Sequence, residues 1–175
     1  LGDVYKRQGA DAIRWLDKNL FGRGLEAGAV SLYFLPLGEP TCPTPDNVRF
    51  VFLEKESLPP FYLPQWSNAL CEERKGLDAF AVAALCGGLT AGLAGASCDC
   101  SDMLQIGVDV LPAFRGRGWG AALTSRLAAC IRAAGKTAFY CCEAGNLPSI
   151  KTALRSGFRP TATRLSAQKQ KPDAF

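Results

Sequence analysis

Apolar and polar positions along the chain form a series of short extended runs, interrupted by stretches of helical spacing. Residues 48–54, VRFVFLE, are rich in branched and aromatic side chains and predict a β-strand. Two more apolar runs, 79–85 and 89–96, flank Gly87-Gly88. A glycine pair between such runs marks a tight hairpin, because both central residues need positive φ. Residues 103–111 predict the next antiparallel neighbour. After the turn at 115–120 the spacing becomes helical: Leu123, Leu127, Ile131 and Ala134 share a face, while Thr124, Arg126 and Arg132 fall elsewhere, so this helix covers one face of a sheet. Residues 137–142 predict a strand parallel to 103–111, since a helix separates the two. Asn146 then caps a helix with Pro148 in its first turn and Gly157 as its stop, and 158–165 form a last strand. The lysine-bearing tail, 166–175, is expected to fray.

The first part of the chain is less regular. Ile13, Leu16 and Leu20 recur at helical spacing, residues 29–35 read as a short strand or helix, and a loop with Pro36, Pro40, Pro43 and Pro45 marks a boundary. Residues 9–45 are therefore read as the remnant of an upstream element packed on a main domain, 46–165. A proline-interrupted segment follows the first strand of that domain, and then a helix ending at Gly76. Residues 3–8, DVYKRQ, look like the translation of a sequencing-adapter read-through, which sets residues 1–8 aside from fold reasoning and puts the native N-terminus outside this sequence.

Composition narrows the class. The 175 residues suffice for one domain with a core and an appendage. With 48% hydrophobic and 21% charged residues the chain is globular rather than disordered. Its net charge of +4, which falls to +3 without Asp3, Lys6 and Arg7, suits an anionic ligand and does not call for nucleic acid. No apolar run reaches membrane-spanning length without Gly, Pro or a charge, so no membrane partner is expected. Eight cysteines, several inside apolar runs and with no leader segment visible, read as reduced thiols of a cytoplasmic protein. Cys98-x-Cys100 and Cys141-Cys142 lack metal-ligand spacing, the chain has no histidine, and no metal is expected.

The candidate chemistry lies in 108–135, VDVLPAFRGRGWGAALTSRLAACIRAAG. Gly116, Gly118 and Gly120 expose backbone at the start of a helix, where the first N–H groups have no intrahelical partner and the dipole is positive. Arg115 and Arg117 add charge suited to phosphate. The turn at 115–120 reads as a cradle for a pyrophosphate. A nucleoside-triphosphate loop needs a Lys-Ser/Thr pair that is missing. Gly116, Gly118 and Ala121, with Glu143 downstream, match a dinucleotide fingerprint, yet Pro112 and three further residues part the strand from the first glycine.

A third pattern fits: Val110, Pro112, Arg115, Gly118 and Gly120, followed downstream by Asn146, Ser149 and Gly157-Phe158. In order and separation these motifs resemble those of the GNAT superfamily of acetyl-CoA-dependent N-acetyltransferases, over about residues 46–165. The resemblance implies an α/β (α+β) fold with a mixed sheet: antiparallel N-terminal strands, a splayed parallel pair at the cofactor site and helices on both faces. It implies acetyl-CoA as cosubstrate, held by Val110, Leu111, Arg115, Gly116, Arg117, Gly118, Trp119, Gly120, Ala121, Asn146 and Ser149, with the backbone N–H of Val110 facing the thioester as oxyanion donor. The expected activity is acetyl transfer to a primary amine, a small molecule or a peptide, by direct attack in a ternary complex. Phe61, Tyr62 and Trp66 either line the acceptor wall or pack in the core, and Trp119 either covers the cofactor or packs on the sheet.

The sequence also departs from the pattern. Many relatives carry a tyrosine four residues before the Gly-Phe pair to protonate the departing thiolate, and Ala153 stands here. Leu104 and Ile106 stand where some relatives place a carboxylate or imidazole. Asp102, Asp109, Tyr140 and Glu143 remain as acid-base groups, with Tyr140 and Glu143 the chosen candidates. An alternative reading is a non-catalytic coenzyme A-binding sensor or interaction module, and a third is nicotinamide-dependent redox chemistry. A bacterial origin and a monomer or homodimer are expected.

Overall fold

In a computed structural model whose described residues are 10–39 and 42–169, the extended runs assemble into a seven-stranded mixed sheet. The adapter-like segment 3–8 and residues 170–175 lie outside the described residues. Strands β2 (Arg49–Glu54), β3 (Asp78–Cys86), β4 (Leu89–Ser97) and β5 (Met103–Val110) form an antiparallel meander. The β3–β4 hairpin turns at Gly87 and Gly88, both at positive φ (56° and 83°), which the glycine pair predicts. Helix α2 (Trp119–Ala133) leads to β6 (Thr137–Glu143), parallel to β5, and α3 (Leu147–Arg155) leads to β7 (Phe158–Lys169).

The N-terminal part supplies α1 (Ala10–Phe21), packed on β1 (Leu25–Pro36), and β1 lies inside the sheet between β6 and β7, antiparallel to both. Its register joins Phe34 to Tyr140 on one side and Leu35 to Arg159 on the other. Leu25–Pro36, within the segment read as an upstream remnant, thus forms an internal strand of the same sheet. The last strand runs on to Lys169, four residues beyond its expected end, because Leu25–Ala27 of β1 pair with Ala167–Lys169.

A core fills the space between one sheet face and α2 and α3. Phe34, Leu123, Leu127, Ile131 and Phe158 are fully buried there. Ala134 falls just past the end of α2 and is exposed, whereas Thr124, set aside by the helical pattern, is fully buried with no hydrogen-bond partner for its Oγ1. The opposite face of β3–β5 is covered by Leu58, Trp66, Ala69 and Leu70, packed on Ala81, Ala83 and Leu93. No α-helix forms this second layer: between residues 55 and 74 the chain makes four single 3-10 turns, not the helix ending at Gly76. Pro59, Pro60 and Pro64 break the first part into short turns, and after them Cys71 is extended (φ −118°, ψ 108°), which interrupts the stretch expected to be helical. The layer nonetheless presses tightly on the sheet. A Cβ built on Gly107 would collide with the backbone carbonyl of Asn68, and one on Gly95 with that of Ala69.

Candidate active site

The ladder between β5 and β6 begins at Met103–Thr137 and stops at Ile106–Tyr140. Beyond it β5 stays paired with β4 as far as Gly92–Val110, while β6 stays paired with β1 as far as Ser31–Glu143. Each strand follows its outer neighbour, and the sheet's twist carries the two apart. The wedge opens into a cleft of about 1020 Å³, walled by the end of β5, the following turn, the start of α2 and one side of α3.

Backbone direction follows from pairing. The N–H of Leu111 donates to Ala91 O (2.9 Å), so Leu111 faces β4 and packs with the second core, not the cleft. Alternation along a strand then turns the N–H and C=O of Val110 toward the wedge. That carbonyl accepts a bond from Arg115 Nε (2.8 Å), which folds the arginine back along β5.

The glycine-dense turn leaves backbone amides accessible at the start of α2. Gly116 and Gly118 adopt φ of 77° and 83°, and an added Cβ at either would meet nothing within 4 Å. The demand for glycine here is conformational rather than steric. Helix α2 starts on Gly118 with no capping side chain and no acid in its first turn, and its first helical bond runs from Ala122 N to Gly118 O (3.0 Å). The N–H groups of Trp119, Gly120 and Ala121 therefore lack helical partners and sit at the positive end of a 15-residue helix. Trp119 is turned inward, 5% exposed and tilted against Phe114 with ring centroids 5.1 Å apart. Its backbone serves the turn while its indole packs in the core.

Of the residues expected at the cofactor, Val110, Arg115, Gly116, Gly118, Trp119, Gly120, Ala121, Asn146 and Ser149 line the cleft, and Leu111 and Arg117 do not. Asn146 caps α3, its Oδ1 accepting from Ser149 N (3.1 Å). Ser149 Oγ meets the Tyr140 hydroxyl at 2.8 Å. Tyr140 is 4% exposed, and burial pushes its phenol above the ordinary range, opposed by the Ser149 hydrogen bond. It stays protonated at neutral pH and keeps a proton to share or donate. Burial likewise raises the neighbouring Cys142 thiol, which disfavours a nucleophilic thiolate. Glu143 is exposed on the cleft wall.

The remaining candidates separate. Asp109 reaches the cleft, but three donors hold its carboxylate: Asn68 N (2.8 Å), Asn68 Nδ2 (2.7 Å) and Ala69 N (2.9 Å). Asp102 lies before the opposite end of β5, accepting from Ser101 Oγ (3.1 Å). Leu104, Ile106 and Ala153 are buried core residues. Trp66 is buried, while Phe61 and Tyr62 are partly buried against the same cluster.

Sequence reasoning passed over Lys151, Thr152 and Arg155, which line the cleft from α3. Lys151 and Arg155 are spaced i, i+4 on one helix face, a signal of a basic wall opposite the glycine turn. It also passed over Asn68 and Gln105, which have no local signature. A seat of free amides, a basic wall and an unpaired strand edge together suit an elongated ligand with an anionic end. Among the described residues no helix is long and apolar enough to cross a membrane, and no three His, Cys, Asp or Glu side chains converge as a metal site.

Comparison with known proteins agrees with this geometry. The model of the FR47-like protein family matches residues 74–165, more than half of the chain. No significant match was found among curated protein sequences. Among solved structures, a GCN5-related N-acetyltransferase-like protein from Streptococcus suis is 16% identical, with a TM-score of 0.60 over 93% of this chain and 69% of its own. A GCN5-related N-acetyltransferase from Kribbella flavida is 18% identical, with a TM-score of 0.65 over 91% of this chain and 65% of its own. A GNAT-family acetyltransferase from Colwellia psychrerythraea is 16% identical, with a TM-score of 0.59 over 81% and 55%. The chain thus spans from little over half to about two thirds of the length of these proteins. On the family match and the shared fold, the chain belongs to the FR47-like family, within the GNAT superfamily of N-acetyltransferases.

Proposed function

We propose that the chain transfers an acetyl group from acetyl-CoA to a primary amine, by direct attack with both substrates held together. The observation that carries this reading is the opening of β5 from β6 beyond Ile106–Tyr140, next to an uncapped α2 terminus. The diphosphate fits on the amides of Trp119, Gly120 and Ala121, with Arg115, Lys151 and Arg155 nearby as cations. The pantetheine arm fits along the unpaired edge of β5 as an added strand. When bound, acetyl-CoA supplies an activated acyl group.

The chain's residues supply the rest. The Val110 N–H is positioned as donor to a carbonyl oxygen gaining negative charge. Holding amine and thioester in contact lowers the barrier without a covalent enzyme intermediate. Tyr140, kept protonated by burial and oriented by Ser149, is the group suited to donate a proton to the leaving thiolate. Glu143, on the open wall, is the candidate base for the incoming ammonium. A small-molecule or peptide acceptor, action as a monomer or homodimer, and a bacterial cytoplasmic setting belong to the same proposal.

Purified protein mixed with acetyl-CoA and a panel of amines tests it: amine-dependent thiol release is expected. The alternative, a coenzyme A-binding module without turnover, is favoured by one observation: Ala153, where relatives carry their acid, is fully buried. Tight coenzyme A binding with no thiol release across the panel would select that alternative.

A further inference from the structure

A second, smaller cavity lies on the 3-10-turn face of the sheet. It has a volume of about 150 Å³ and is lined by Asp78, Cys71, Arg74, Ser97, Gln105 and Asn68, with Ala69 and Gly107 completing it. Asn68, Gln105 and Gly107 also line the main cleft, so the two spaces share a wall. This room suffices for a few waters or one small cationic head group.

The sheet makes a special arrangement to place Asp78 there. Phe80, Val82 and Ala84 face the helix-side core, and Ala81 and Ala83 face the turns. Strict alternation would aim Asp78 at the helices. A register irregularity between Asp78 and Phe80 instead turns it to the other face, as bulges re-aim side chains near functional sites. Asp78 is 2% exposed, and its Oδ2 accepts from Tyr62 OH (3.0 Å). Among the described residues no Lys or Arg forms an ion pair with it, because the neighbouring Arg74 is engaged by Asp99 (2.5 Å) and Ser97 (3.2 Å). Burial raises its carboxyl above the usual range; the Tyr62 bond, a backbone bond from Cys71 and the charges of Arg74 and Lys55 oppose this, yet neither cation forms an ion pair with it.

We infer that this cavity is a socket for a second, non-reacting ammonium of the acceptor, with Asp78 as its counter-ion and Gln105 and Ser97 as hydrogen-bonding floor. The inference rests on the acetyl-transfer reading, because it takes the reacting nitrogen to lie near Val110. Gln105 precedes Val110 by five residues on β5, and Asp78 lies opposite Gln105 two strands away, through Ser97. At about 3.3 Å per residue along the strand and about 4.8 Å per strand across the sheet, the two nitrogens would stand roughly 16–19 Å apart. The acceptor class is then a diamine, or a longer polyamine, with that spacing.

The test uses the whole protein and a homologous series of α,ω-diaminoalkanes beside n-alkylamines of equal carbon number. With acetyl-CoA, kcat/KM for the diamines should exceed that of the monoamines by about tenfold or more once the nitrogens are far enough apart, the effect expected of one charge-assisted hydrogen bond. Asp78→Asn should bring that ratio to about one. Calorimetric titration of the same diamines without acetyl-CoA should give binding that Asp78→Asn removes. If that variant does not fold, the chain-length series on the unmodified protein decides alone. Equal rates and equal heats for diamines and monoamines at every length would overturn the socket while leaving acetyl transfer intact. Length-dependent diamine binding with no thiol release would keep the socket and overturn the transferase reading.

Discussion

The Tyr140 hydroxyl and Ser149 Oγ stand 2.8 Å apart beside the point where β5 and β6 part, joining strand β6 to the capped first turn of α3. Tyr140 is also the last β6 residue paired with β5. A phenol is thus present beside the wedge although Ala153 replaces the tyrosine of many relatives. Tyr140→Phe is expected to lower kcat about 10²-fold, the lower range for a positioned acid, with little change in acetyl-CoA affinity. Steady-state kinetics with parallel calorimetry checks this. An unchanged kcat in a folded variant would reduce the pair to a structural bond.

Gly118 gives a prediction in which conformation and space can be told apart. Its φ of 83° is in the left-handed region, and no atom lies within 4 Å of where a Cβ would stand. Gly118→Val should cost about 1–2 kcal/mol of stability and weaken acetyl-CoA binding, whereas Gly118→Asn, which tolerates that conformation, should lose clearly less. Thermal melts and cofactor titrations of the two variants provide the measurement. Equal losses in both would mean that the site objects to any side chain, by blocking the ligand itself.

Some parts of the molecule are legible in the sequence and others are not. The strands around Gly87-Gly88, the glycine turn and the Asn146 cap each depend on residues within a few positions of one another, so local pattern reveals them. The place of β1 does not: Phe34 finds Tyr140 more than a hundred positions away, and nothing in LEAGAVSLYFLP names that partner. Of the turns between 55 and 74, those at 59–61 and 64–66 start on prolines, whereas the stretch read as a helix is interrupted by an extended Cys71 that no local pattern marks. Thr124 is buried because α2 packs between the sheet and α3, which widens its apolar face beyond the simple stripe. The splayed pair follows only from the family resemblance, since no spacing rule states where a ladder ends.

Asp109, one of four acid-base groups the sequence offers and not one of the two chosen, acts structurally in the fold. Its carboxylate collects three N–H bonds from Asn68 and Ala69, fixing the turn layer over Gly107. Asp109→Ala would leave those donors without their acceptor and is expected to cost about 3 kcal/mol, in line with bonds to a charged group. Urea unfolding of the variant measures it. A loss below about 1 kcal/mol would show that water replaces the carboxylate freely.

Tyr62 sets the alkaline limit of the same layer. Burial first, then its hydrogen bond to Asp78, pushes the phenol from 10.0 up to about 12. Because the folded-state value is raised, the folded protein holds this proton more tightly than the unfolded chain. The contribution is fully present below pH 10, and is lost as pH rises through the interval from 10 to about 12. Tyr33 and Tyr140 are raised as well, with burial the first cause in each, so stability should fall steadily through that range. Tyr62→Phe removes one titrating group and should make the decline shallower, although its neutral-pH stability is lower by about 1 kcal/mol for the lost hydrogen bond. Urea midpoints across the alkaline range compare the two proteins. Identical slopes would mean that the Tyr62 hydroxyl titrates as freely in the folded protein as in the unfolded chain, and that its contact with Asp78 does not hold the proton.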